Sequence, residues 1–146
     1  MVENAAVGWI GLGKMGVPMA GHLISAGFSL TVYNRSPGPE AALRDAGAAV
    51  ADSPTALAPN VGTIISMTSD DAALSDVTTG PSGAFGAAAP STLFIDMSTV
   101  SPEVSAEVAA LAAEAGIRYL RAPVSGGVAL AVAGTLTVLA SGARAD

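Results

Sequence analysis

The chain has 146 residues, a net charge of −6 and no cysteine. That length suits about one domain with a real core and leaves little room for two. Six scattered basic residues against twelve acidic ones argue against a nucleic-acid surface, and the missing cysteines exclude a disulfide framework, a thiol nucleophile and a thiolate metal site.

Ala5–Ile10 is an uncharged run that reads as a buried parallel strand. Gly11-Leu12-Gly13-Lys14-Met15-Gly16 follows, and Met15 to Ala26 continues with helical spacing. Ser29–Tyr33 reads as the next strand, followed by a helix from about Pro39 to Ala46 that Gly47 stops. A short strand near Ala48–Val50 and another at Thr63–Met67 come next, then a helix after Ser69 with Asp70 and Asp71 in its first turn. Thr78 to Pro90 is a loop with one helical turn around Phe85, and Thr92–Asp96 is a strand. The best-marked helix runs from Pro102 to Ala115: Ser101 caps it, Val104, Val108, Leu111 and Ala115 form its stripe, and Gly116 ends it. Ile117–Arg121 and Thr135–Ala140 complete the predicted strands.

Ala122 to Ala143 is uncharged between Arg121 and Arg144, but Pro123, Gly126, Gly127 and Gly134 interrupt it. It reads as a loop and a buried strand, because a membrane span needs about 20 predominantly apolar residues. Glu3 stands in an opening that lacks a basic segment followed by an apolar one, which argues against a secretory signal, and the expected compartment is a reducing one, the cytoplasm. Alternating strands and helices predict an α/β fold with a mostly parallel sheet covered on both faces.

The glycine turn lies between a strand and a helix, where each glycine has a separate task. The first allows the tight turn, the second lets the backbone approach a pyrophosphate, and the third lets helix pack on strand. Phosphates would rest at the helix N-terminus, where free N–H groups favour anions. After the second strand, Tyr33-Asn34-Arg35-Ser36 stands where an NAD-binding domain presents an acid to the adenosine ribose. A guanidinium suits a 2′-phosphate that a carboxylate would repel, and Asn34 and Ser36 add neutral donors, so NADP is expected over NAD. The missing acid also weighs against a methyltransferase using S-adenosylmethionine.

Other polar residues have structural readings. His22 reads as a surface or packing residue, Trp9 as core or edge packing, and Asp96 as a brace for the Ser98-Thr99 turn ahead of a general base. Asp70, Asp71 and Asp76 fit a solvated helix face, and no cluster has metal-ligand spacing.

Four segments together resemble the β-hydroxyacid dehydrogenase family: Gly11 to Ala20, Asn34-Arg35-Ser36, Asp96 to Pro102, and Ala122-Pro123-Val124-Ser125-Gly126-Gly127 with Gly134-Thr135-Leu136. The resemblance runs from Val7 to about Gly142 and implies a doubly wound, Rossmann-type cofactor domain. It implies that Leu12, Gly13, Lys14 and Met15 line the pyrophosphate and nicotinamide side, that Met67 and Thr68 form a turn against the cofactor, and that Thr99 sits near the nicotinamide ribose. Ser125, Gly126 and Gly127 would hold the carboxylate of a small substrate.

Family members move the hydroxyl proton with a lysine, followed by an Asn, in a helix leading to an all-α domain through which they pair. That lysine is expected beyond Asp146, so no catalytic residue is assigned here, and Lys14 is read as neutralising phosphate. The expectation is an incomplete cofactor domain that binds dinucleotide without efficient turnover. Leu130 stands where relatives usually have Gly, and Arg121 where many have Asp, so the particular acid stays open. A non-enzymatic NADP-binding module and an imine reductase remain as alternatives.

Overall fold

The computed structural model describes residues 5–146. Six strands, β1 (Ala6–Ile10), β2 (Ser29–Tyr33), β3 (Ala49–Val50), β4 (Thr63–Ser66), β5 (Leu93–Asp96) and β6 (Arg118–Arg121), form one sheet in the order β3-β2-β1-β4-β5-β6. Every pairing in it is parallel, with Val7 opposite Leu30 on one side and Thr63 on the other. The chain steps outward from β1 to β3, then returns to the other side of β1 and steps outward to β6. That reversal leaves a crevice at the carboxyl ends of β1 and β4.

The connections are α1 (Gly16–Ser25), α2 (Ala41–Asp45), α3 (Pro54–Leu57) with a 3-10 turn at Ala58–Asn60, α4 (Asp71–Thr79) and α5 (Pro102–Glu114). Strand side chains alternate between the two faces, so each face has its own core. Trp9, Val32 and Ile65 pack with Met19, Ala20 and Leu43 on one side. Ile10, Ile64 and Phe94 pack with Leu57, Leu74 and Val108 on the other. Burial on both faces explains why these strands read as continuous apolar runs.

The predicted ends of α5 are observed: Ser101 Oγ accepts the Val104 N–H at 3.2 Å, and Gly116 leaves the helix with φ +72°. Ser53 and Pro54 start α3 in the same manner, with Ser53 Oγ accepting from Ala56 N at 3.0 Å. That short helix has no counterpart among the expected elements.

The last segment differs from the expectation. Thr135–Ala140 is not a buried strand. Only Thr137–Val138 (β8) is extended, paired antiparallel with Val124–Ser125 (β7) in a separate two-stranded ribbon. An unpredicted helix, α6 (Val128–Ala133), lies between the two. Gly126 at φ +133° and Gly134 at φ +70° turn the chain back before it can extend. A single antiparallel bridge between Arg121 and Ser141 joins this unit to β6. Val132, Val138 and Leu139 are exposed, and Ala131 is the one buried residue of α6. No helix among the described residues is long and apolar enough to cross a membrane.

Candidate dinucleotide site

The crevice is an open cleft of about 160 Å³ between the carboxyl ends of β1, β2 and β4 and one side of α4. Gly11 leaves β1 at φ +101°, and a Cβ there would lie 2.2 Å from the Met67 carbonyl oxygen. A Cβ on Gly16 would lie 2.1 Å from the Gly11 carbonyl oxygen, which also accepts the Trp9 indole N–H at 2.8 Å. These two glycines are where strand, turn and helix touch.

Gly13 is different: it is exposed, and no atom lies within 4 Å of where its Cβ would be. The N–H groups of Gly13, Lys14 and Met15 have no protein acceptor among the described residues. Helix α1 has no side-chain cap and no acid in its first turn. Orphan donors beside a bare glycine form a cradle that fits a phosphate.

Asn34 ties the two neighbouring turns together. Its Oδ1 accepts the Leu12 N–H at 2.9 Å, and its Nδ2 donates to the Ser36 carbonyl oxygen at 2.7 Å. One Nδ2 hydrogen is used in this way, and the second, the donor expected to face the cofactor, has no protein acceptor among the described residues. Arg35, next along, is exposed on the cleft wall and forms no ion pair among the described residues.

On the other wall, Thr68 is braced from β5. Its N–H donates to Ser98 Oγ at 2.8 Å, and the two hydroxyls lie 2.9 Å apart. Asp96, 3% exposed, accepts through Oδ1 from Ser66 Oγ at 2.9 Å and Ser98 N at 3.0 Å. Its Oδ2 accepts more loosely from the Tyr119 hydroxyl at 3.4 Å. Asp96 is thus the expected brace. Burial, and secondarily the charge of Asp96, raise the Tyr119 pKa. Nearby, Asp71 Oδ1 accepts the Ser101 N–H at 2.7 Å, and that bond lowers its pKa. Asp70 caps α4 by accepting from Ala73 N at 2.8 Å.

The fold brings Gly11, Leu12, Gly13, Asn34, Arg35, Ser36, Met67 and Thr68 to one cleft. It leaves Lys14 exposed and outside that lining, and packs Met15 and Gly16 against the body. Thr99 faces a second cleft. Ser125, Gly126 and Gly127 are exposed at the ribbon, with the Leu130 and Leu136 side chains close over Gly126. Sequence reasoning missed Ala73, Asp76 and Val77, which reach the cleft from α4. Only the packing of that helix beside β4 discloses them. His22 is exposed on α1, and its Nε2 donates to the Ala131 carbonyl oxygen at 2.8 Å. Among the described residues no group could hold a metal ion.

A parallel sheet in this strand order, with a glycine turn heading its central crevice, defines a Rossmann-type dinucleotide-binding domain. Residues 6–146 match the NAD binding domain of 6-phosphogluconate dehydrogenase, and the chain belongs to that family. It is 39% identical over 144 residues to a probable mitochondrial 3-hydroxyisobutyrate dehydrogenase of Dictyostelium discoideum, covering 99% of this chain and 45% of that protein. The Mycobacterium tuberculosis 3-hydroxyisobutyrate dehydrogenase solved with L-serine superposes with a TM-score of 0.87 at 33% identity, covering 98% of this chain and 48% of that one. Psf3 in complex with NADP+ and 2-OPP superposes at 0.90 and 32% identity, with coverages of 95% and 49%. The chain therefore spans about half the length of the relatives it matches.

Proposed function

We propose that the chain is the NADP(H)-binding half of an oxidoreductase that moves hydride between the nicotinamide and a small 3-hydroxy acid or its semialdehyde. The observation that carries this reading is the wall formed by Asn34, Arg35 and Ser36, where β2 ends without an acid and presents a guanidinium in the same cleft as the glycine turn. The N–H groups of Gly13, Lys14 and Met15 would hold the pyrophosphate, and Arg35 the 2′-phosphate. The relative solved with NADP+ is consistent with that choice.

Thr99 would stand near the nicotinamide ribose, and Ser125, Gly126 and Gly127 would surround the substrate carboxylate with a hydroxyl and bare N–H groups. The proton would be moved by a lysine outside these residues, in a helical segment that also pairs subunits. Without that group this chain would bind cofactor and turn over slowly, since a missing acid or base forfeits about 10²–10⁴-fold in rate.

The test is a fluorescence titration with NADPH and NADH of the chain and its Arg35→Asp variant. The expected result is a loss of about tenfold or more for NADPH, on the order of 1.4 kcal/mol, with NADH spared or improved. Equal losses for both would refute the 2′-phosphate role.

A further inference from the structure

A second cleft, of about 570 Å³, opens between the end of β6, the Asp96–Thr99 turn and the start of α5. Its one cation among the described residues is Arg121, at the end of β6 and half-buried. Arg121 Nε donates to Ser105 Oγ at 2.6 Å, and Nη2 donates to the Ser105 carbonyl oxygen at 3.3 Å. The guanidinium carbon lies 5.7 Å from the centre of the Tyr119 ring. These contacts hold the side chain in place, yet every partner is neutral.

One edge of the guanidinium fork is therefore occupied, and the other, formed by Nη1 and the second Nη2 hydrogen, has no protein acceptor among the described residues. No carboxylate among them forms an ion pair with Arg121. Asp96 borders the cleft, but its Oδ1 serves Ser66 and Ser98 and its Oδ2 serves Tyr119. Thr99 borders it too, exposed, with a hydroxyl that has no partner among the described residues. Asp96 stands opposite Arg121 in the β5–β6 register and supplies a nearby negative charge without bonding to the fork; what the half-buried guanidinium lacks is acceptors for its free edge. A ligand oxyanion would fit that free edge through two parallel hydrogen bonds.

We propose that Arg121 forms an oxyanion subsite for a carboxylate or phosphate group, separate from the glycine-turn cleft and bordered by Thr99, which the cofactor reading sets beside the nicotinamide ribose. Carboxylate and phosphate share the acceptor chemistry that this edge recognises, and the experiment separates them. The 146-residue chain, saturated with NADP so that the glycine turn is filled, is titrated with inorganic phosphate and, in a parallel arm, with malonate. Heteronuclear NMR follows the Arg121 Nε–H signal and the amide signal of Ser105, its direct partner. The expected result is a saturable shift of both signals, weakened about tenfold or more in Arg121→Gln. Arg118→Gln is the control, because that guanidinium already pairs with Asp146 at 3.0 Å; it should leave the response intact.

Saturation by malonate alone assigns a carboxylate ligand, and by phosphate alone a phosphoryl ligand. An unsaturable drift, or equal effects of Arg118→Gln and Arg121→Gln, would reduce the response to general charge screening and overturn the proposal. Should Arg121→Gln fail to fold, Arg121→Lys keeps the charge and removes the fork; undiminished binding in that variant also overturns it. Failure of NADP to bind would count against the cofactor reading alone, since the Arg121 signals report their own site.

Discussion

Alanine placed at Gly13 or at Gly16 should have opposite consequences, although the residues share one turn. A methyl at Gly16 would lie 2.1 Å from the Gly11 carbonyl oxygen and 3.3 Å from Trp9 Nε1. The carbonyl must move, and the 2.8 Å Trp9 bond it accepts goes with it. Overpacking typically costs about 1–3 kcal/mol and a lost hydrogen bond about 1 kcal/mol, together roughly 2–4 kcal/mol. At about 2–4 °C per kcal/mol for a domain near this size, Gly16→Ala should melt roughly 5–15 °C lower. Gly13 has no atom within 4 Å of its Cβ position and no positive φ, so Gly13→Ala should melt within a few degrees of the parent. Its methyl would instead fill the cradle and weaken NADPH about tenfold or more. Thermal unfolding by circular dichroism with fluorescence titration of NADPH measures both effects. A Gly13→Ala chain that melts as low as Gly16→Ala, or binds NADPH like the parent, refutes the division of labour.

Phe94 is fully buried, edge-on to Phe85 at 5.1 Å and stacked on Tyr119 at 5.9 Å. Phe94→Ala should cost about 3–5 kcal/mol in urea unfolding, and a loss below about 1 kcal/mol would contradict its place in the core. Asp71 has a pKa below its ordinary 3.8 because the Ser101 backbone N–H stabilises its charged form. Its stabilising contribution is therefore complete above that ordinary value and disappears as pH falls through the lower folded value. The stability gap between the parent and Asp71→Asn should close below about pH 4, and a gap that widens on acidification refutes the assignment.

The sheet was legible because both of its faces are buried. Trp9, Ile64, Ile65 and Phe94 alternate between two cores, so their strands carry apolar residues without interruption. Helix α5 was legible at both ends because Ser101, Pro102 and Gly116 are local signals. Ser53-Pro54 carried the same start signal for α3, but four residues are too few to show a period. Helix α6 was hidden for another reason: Val128-Ala129-Leu130-Ala131-Val132-Ala133 is apolar all round, so no stripe separates helix from strand. The glycine turn and the segment after β2 were readable as one site because they follow neighbouring strands. The part of the cleft wall given by Asp76 and Val77 depends on how α4 packs, and nothing local to them announces it.

The bridge made by Asn34 bears on how readily this cleft could change its preferred nucleotide. Exchanging Asn34 for an acid would retain an acceptor for Leu12 N, but would set a carboxylate against the Ser36 carbonyl oxygen in place of a donated bond. Arg35 is exposed and ties nothing down, so it is free to vary. Divergence toward another dinucleotide, in evolution or by design, has a cheap route through position 35. At position 34 the same change would have to rebuild the turn that shapes the phosphate cradle.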